Sequence, residues 1–351
     1  METRKIKIAI IGCGGMGHYH LKNMLKSGIF EVVGIYDIDE SKKKIAEKHN
    51  IKFFNSFQEL SEDIGLDAVL IATPNDFHHD YVIKSAECGL NVLCEKPVTL
   101  NSELLNEMVD KIKEKKLVFM VNQNRRWDKD FMTARKIIEQ GRIGEVYKIE
   151  SRVMGSHGIP GDWRKIKSQG GGMIYDWGVH LIDQFLYLID SKVKSIYCKN
   201  SYVYGLEVDD GFELKMTFAS GLEATVVIDT NSFISLPRWM VYGYDGTAII
   251  RTWSRRGKII SVKIRQDLKN KGIKAGNGFT KTMADRSNST IRKHRLPRVN
   301  GDPYALYQNF SECILNISKP IITTGQMSRV IKVIEAAFES AESNKVIETE
   351  I

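Results

Sequence analysis

Lys5-Ile6-Lys7-Ile8-Ala9-Ile10-Ile11-Gly12-Cys13-Gly14-Gly15-Met16-Gly17 is the stretch whose reading decides the architecture. The β-branched run Lys5–Ile11 suits a strand buried on both faces of a parallel sheet. It ends in a GxGxxG loop, and His18–Ser27 then reads as a helix. Strand, glycine loop and helix in this order form the context in which such a loop binds a dinucleotide. Gly12 allows the tight turn, Gly14 lets the backbone approach a pyrophosphate, and Gly17 permits close helix–strand packing. Cys13, Gly15 and Met16 fill the same loop, so the whole hexapeptide is assigned to the cofactor. The helix N-terminus offers unpaired N–H groups to the phosphates.

Further strand-like runs follow at Glu31–Tyr36, Asp67–Ala72, Leu90–Cys94 and Leu117–Asn122, with a helix at Asn101–Lys116. Alternating strands and helices predict a Rossmann-type α/β domain with a parallel sheet over 1–123. Asp37, just after the second strand, is placed to accept hydrogen bonds from the adenosine ribose and to repel a 2′-phosphate. NAD is therefore the expected cofactor, although Lys42, Lys43 and Lys44 stand close enough to soften that preference. The turn Thr73-Pro74-Asn75 leaves the third run at the end where such sheets bind ligands. Of the adjacent pair His78-His79, His78 is assigned to the cofactor side; neighbouring residues on a helix do not face one another, and no metal site is expected.

Glu95-Lys96-Pro97 leaves the fourth run. A lysine held at a strand end above a cofactor suits proton transfer near neutrality. Beyond residue 124, strands dominate: Val146–Val153, Val193–Tyr204, Gly211–Phe218, Glu223–Ile228 and Arg238–Tyr244, after a helix at Phe131–Gln140. They predict an α+β domain over 124–351 with a largely antiparallel, open sheet. One face of it would carry helices, and the other is expected to make a homo-oligomer. Within this half, Gly170-Gly171-Gly172 precedes a segment of helical periodicity from Ile174 to Ile189. On such a helix Asp176, His180, Asp183 and Gln184 share a face, so a carboxylate and an imidazole can address one ligand.

Composition narrows the class. The 351 residues suit two domains, and 42% hydrophobic with 27% charged residues is ordinary for a globular protein. Five cysteines without CxxC spacing, no apolar leader and no apolar run of membrane length predict a reduced, cytoplasmic protein with no membrane partner. The net charge of +8 is local: residues 251–298 hold fifteen Lys/Arg against two acids. No nucleic-acid-binding fold accompanies that stretch, so no nucleic-acid partner is expected.

The GxGxxG loop, the Thr73-Pro74-Asn75 turn, Glu95-Lys96-Pro97 and the Gly-Gly-Gly…Asp-x-Gly-x-His segment together resemble the Gfo/Idh/MocA family of oxidoreductases, over nearly the whole chain. The resemblance implies a Rossmann domain followed by an α/β domain with an open sheet, a homo-oligomer, and substrates among sugars, inositols and glycosides, oxidised or reduced at a secondary alcohol. It maps a catalytic lysine onto Lys96 and a catalytic Asp/His pair onto Asp176 and His180, and it places Trp163-Arg164 at the nicotinamide–substrate junction. Glu95 and Lys96 then touch cofactor, and Lys96, Arg126, Arg164, Asp176 and His180 are the expected substrate-binding residues. Lys269–Pro297 departs from the pattern and reads as an insertion: a subunit arm, a lid or a solvated loop. Where it reaches an active site, its charge favours an anionic or polyhydroxylated substrate such as a glycoside or uronate, and so specialised an insertion gives a lean toward a glycoside oxidised at the C3 hydroxyl. Redox-assisted glycoside cleavage and a non-catalytic NAD sensor are the alternative readings.

Overall fold

A computed structural model describes residues 4–263, 272–282 and 285–351. The first half alternates as read. Strands β1 (Ile6–Ile11), β2 (Phe30–Tyr36), β3 (Lys52–Phe54), β4 (Ala68–Ile71), β5 (Asn91–Cys94) and β6 (Phe119–Val121) form one parallel sheet in the order β3-β2-β1-β4-β5-β6. Helices α1 (Gly15–Ser27), α2 (Lys43–His49), α3 (Phe57–Ser61), α4 (His78–Glu87) and α5 (Ser102–Glu114) connect them. Ile8, Ile10 and Ile11 are fully buried because β1 lies at the sheet centre with helices on both faces. The strand order reverses between β1 and β4, and the crevice at the carboxyl ends there is where such sheets take ligands.

The second domain adds α6 (Lys129–Glu139), β7 (Val146–Met154), α7 (Val179–Leu188), β8 (Val193–Ser201), β9 (Gly211–Phe218), β10 (Glu223–Asp229), β11 (Trp239–Gly243), β12 (Gly246–Ile250) and β13 (Gly257–Val262). A hairpin of β14 (Ile273–Ala275) and β15 (Gly278–Thr280) precedes β16 (Ile291–His294), α8 (Ala305–Ile314), α9 (Thr324–Ser343) and β17 (Ile347–Glu348). Nine of these strands form one sheet, β16-β13-β12-β11-β7-β10-β9-β8-β17, antiparallel except where β10 runs parallel to β7. Alternation along β9 sends Phe212, Leu214, Met216 and Phe218 into the core and Glu213, Lys215 and Thr217 outward. Helices α6, α7 and α9 cover the inner face.

Two expectations change here. Part of the stretch 269–297 is a sheet strand rather than a loop, arm or lid: β16 extends the large sheet by pairing with β13, while the β14–β15 hairpin stands mostly exposed. Residues 269–271 and 283–284 of that stretch lie outside the described residues. The helix read over 174–189 begins as a π turn over Ile174–Gly178 and becomes α-helical only at Val179. The chain also returns to its first domain near its end, where Tyr307 and Phe310 of α8 pack on Phe30 of β2. Among the described residues no helix is long and apolar enough to cross a membrane.

Candidate active site

A cleft of about 1000 Å³ runs from the glycine loop to the start of α7. Its first half is backbone. Gly12 has φ +86°, and a Cβ there would meet the Ala72 carbonyl oxygen at 2.8 Å. A Cβ on Gly17 would stand 1.9 Å from the Gly12 carbonyl oxygen, so α1 can dock on the loop only as glycine. Gly14 and Gly15, in contrast, have nothing within 4 Å of where a Cβ would lie. That open, N–H-rich floor at the start of a 13-residue helix fits a pyrophosphate. Met16 lies at the rim, 37% exposed. Cys13 does not join the wall through its side chain, which is buried; its backbone N–H donates to Asp37 Oδ2 at 2.6 Å.

Asp37 lines the cleft and also accepts the Asp39 N–H at 2.9 Å, so it both shapes its turn and presents a carboxylate. Lys42 lines the same end, tied to Asp39 at 3.1 Å, while Lys43 and Lys44 are exposed on α2. Thr73, Pro74 and Asn75 form the opposite wall. Thr73 Oγ1 is buried without a partner, an acceptor and donor left for a ligand. Asn75 Nδ2 donates to the Gly170 carbonyl at 3.0 Å and thus joins the two domains.

His78 is a correction. It is fully buried behind the wall, with its ring nitrogens 2.8 Å from the Pro97 carbonyl oxygen and 3.1 Å from that of Thr73. It braces the two cleft loops against each other instead of facing the cofactor. Burial lowers its pKa. His79 turns outward to Glu107, and among the described residues no cluster of His, Cys, Asp and Glu could hold a metal.

The reacting end is built across the domain boundary. Lys96 Nζ donates to Asp176 Oδ1 at 2.9 Å and to the Asp176 carbonyl at 2.8 Å. Arg164 Nε donates to Asp176 Oδ2 at 3.2 Å, its Nη1 to Asp162 at 2.7 Å, and its guanidinium lies 4.5 Å from the Trp163 ring. Burial opposes ionisation of Asp176, but Lys96 and Arg164 outweigh it and hold the carboxyl below its ordinary value. His180 is buried with Nδ1 unpartnered; burial, then Lys96, Arg125 and Arg238, push its pKa well below the ordinary histidine value. The imidazole is therefore neutral at physiological pH. Glu95 sits on the wall behind Lys96; burial opposes its ionisation, but His20, Lys96 and Asn122 more than offset this.

Arg126 is the second correction. The 3₁₀ turn Asn124–Trp127 sends Arg126 into the core, where it holds Asp183 through Nε at 2.7 Å and Nη2 at 2.6 Å. Its neighbour Arg125 faces the cleft instead, 4.2 Å from the Trp177 ring and paired with Asp128 at 3.0 Å. Asp183 and Gln184, grouped by periodicity with the catalytic pair, are structural: Gln184 Nε2 donates to the Arg125 carbonyl at 2.7 Å. Arg125, Asp128 and Trp177 escaped the sequence reading; the Asn-Arg-Arg-Trp run marked the place but not which arginine turns inward.

Comparison with known proteins finds matches to both domains. Residues 6–123 match the family model "Oxidoreductase family, NAD-binding Rossmann fold", and residues 131–249 match "GFO/IDH/MocA C-terminal domain". An uncharacterized oxidoreductase of Schizosaccharomyces pombe is 30% identical, over 97% of this chain and 98% of the relative. A scyllo-inositol 2-dehydrogenase (NADP(+)) of Bacillus subtilis is 24% identical over 97% of this chain and 95% of its own. The crystal structure of an NAD-binding protein from Listeria innocua superposes with a TM-score of 0.95, at 43% identity, covering 99% of this chain and 100% of that one.

Proposed function

The chain belongs to the Gfo/Idh/MocA family of NAD-binding oxidoreductases, and from that premise we propose that it interconverts a secondary alcohol and a ketone on a neutral polyol. The class includes inositols, free sugars and glycosides, the last at the C3 hydroxyl. The observation that carries this reading is the Lys96–Asp176 bond beside a neutral His180 at the closed end of a dinucleotide-sized cleft.

When bound, the nicotinamide supplies the acceptor or donor of the hydride. Lys96 Nζ, held by Asp176, is aimed to polarise the substrate oxygen and to stabilise alkoxide charge as it develops. His180, neutral and lining the cleft, takes or returns the hydroxyl proton. Asp176 orients Lys96, and Arg164 fixes Asp176 from the other side.

The cleft cations are already matched: Lys96 with Asp176, Arg164 with Asp162, and Arg125 with Asp128. That balance favours an uncharged, hydroxyl-rich substrate over a uronate or phosphate. Trp163 and Trp177 add aromatic walls. The inositol dehydrogenase among the relatives supports the same class.

Self-association belongs to the same proposal. The outer face of the large sheet carries half-exposed Val227, Met240, Ile249 and Ile260 beside the Lys148–Glu150–Arg152 ion pairs. A partly apolar face without covering helices suits a second copy of the chain.

The test is absorbance at the reduced-nicotinamide band, with inositols, sugars and glycosides offered against NAD and NADP separately. NADH formed together with an accumulating keto product supports the proposal. Release of a free aglycone would move the assignment to redox-assisted cleavage. Tight NAD binding with no turnover of any alcohol would leave a sensor.

A further inference from the structure

Behind Lys96, three polar side chains from distant parts of the chain form an unbroken buried line. Glu95 Oε1 lies 2.6 Å from His20 Nε2, and His20 Nδ1 lies 2.6 Å from the Tyr307 hydroxyl. They come from the end of β5, from α1 and from α8, and each is at most 5% exposed. One end meets the cleft: Glu95 is part of its wall, and its Oε2 accepts the Lys96 backbone N–H at 3.1 Å. The other end meets a second cavity of about 410 Å³, walled by His20, Asn122 and Tyr307 and rimmed by exposed Tyr19 and Pro303. Asn122 Nδ2 donates to Glu95 Oε1 at 2.6 Å and fixes the carboxylate in line.

Burying a carboxylate, an imidazole and a phenol together is costly, and an apolar trio would hold α1 against α8 at least as well. Phe30 of β2 and Phe310 already pack α8 on the first domain without any polar group. We propose that Glu95, His20 and Tyr307 are a proton relay between the active-site cleft and the second cavity.

This inference rests on the dehydrogenase reading, because alcohol oxidation releases one proton for each hydride moved. With cofactor and substrate filling the cleft, its mouth no longer serves as the route to water. In the oxidising direction the proton that His180 takes from the hydroxyl goes on through a water to the Glu95 carboxylate, leaving His180 neutral again. That proton passes from Oε1 to His20 Nε2, the Nδ1 proton passes to the Tyr307 oxygen, and the tyrosine's own proton leaves into the second cavity. Each bond made to hydrogen is matched by one broken, His20 changes tautomer, and nothing is oxidised or reduced. Ketone reduction runs the line backward. Burial raises the Tyr307 phenol above its ordinary value, so it passes protons on without holding the charge of a phenolate. These three are positioning and transfer residues; Lys96 and His180 remain the groups that meet substrate.

The test is Tyr307→Phe, which keeps the ring packing and removes only the hydroxyl. With the alcohol found in the screen, kcat falls at least about tenfold, a share of the ~10²–10⁴ that placed proton transfer contributes. KM and NADH affinity by fluorescence titration stay unchanged, and added imidazole buffer restores the rate. A kcat within about twofold of the parent, or a loss that buffer does not repair, overturns the relay. Histidine-selective ¹⁵N spectra of the full chain need no substrate. Exchange of His20 between tautomers in the parent, frozen in Tyr307→Phe, supports the relay; one fixed tautomer in both overturns it. A parent that oxidises no alcohol refutes the dehydrogenase reading, and the spectra still decide the relay.

Discussion

Lys96 and Asp176, eighty positions apart and in different domains, are joined twice: Lys96 Nζ donates to the Asp176 carboxylate at 2.9 Å and to its backbone carbonyl at 2.8 Å. The doubled bond fixes the ammonium relative to both the cleft floor and the helix that carries His180. The side chain at the reacting centre is thereby oriented before substrate arrives, which is what electrostatic stabilisation of a transition state requires.

Lys96→Met removes the charge and keeps most of the volume. The expected outcome is a kcat lower by about 10²-fold or more. NADH affinity, read by fluorescence titration, should change far less, because the dinucleotide end of the cleft is built from the glycine loop and Asp37. Near-parental turnover with an intact fold would refute the assignment.

Asp37→Asn keeps an acceptor for the Cys13 N–H but removes the negative charge from the ribose end. Opposing a phosphate with a carboxylate costs several kcal/mol, so its removal should shift the NADPH-to-NADH ratio of Kd values by at least about tenfold toward NADPH. Binding titrations with both reduced cofactors measure this without any turnover.

Arg126→Ala should cost about 3–5 kcal/mol of stability by leaving Asp183 buried and unpaired. Replacing both partners, Arg126→Met with Asp183→Leu, should recover most of that loss. Denaturant melts give the stability, and KM for the alcohol serves as the control. A rise in KM without loss of stability would restore Arg126 to the substrate site.

Asp209 gives a pH dependence. Burial raises its carboxyl from 3.8 to about 7. Between those values the folded protein binds more protons than the unfolded chain, so stability falls as pH rises through the window and levels off above it. The slope from this group approaches about 1.4 kcal/mol per pH unit. Asp209→Asn should remove it: the melting temperature of the variant relative to the parent should be higher near pH 8 than near pH 5. Parallel profiles would show that Asp209 ionises normally.

The first domain was legible because its signals are local. β-Branched runs mark buried strands, and the glycine loop marks its own geometry through Gly12 and Gly17. Lys96, Asp176 and His180 were legible as motifs, and all three line the cleft. What escaped depends on side-chain direction or distant contact. Adjacent arginines cannot be sorted by periodicity when a 3₁₀ turn separates their directions, so Arg126 was read where Arg125 stands. His78 looks the same in sequence whether it meets a cofactor or two carbonyls. Tyr307 meets His20 across 287 positions, a separation for which local pattern carries no information. Helix α9 did leave a signal that went unread: Thr323 and Gln326 form its capping box.

The π turn at Ile174–Gly178 has an arithmetic consequence. It is one residue more than an α-helix would use in the same span. Deleting a single residue there would let the turn relax into α-helix and rotate the preceding backbone by about 100° around the axis. Leu181 and Phe185, downstream of the turn, would keep their place in the core, whereas Asp176 would swing away from Lys96. The protein can thus lose its reacting centre to a change in count alone, with every catalytic side chain still present.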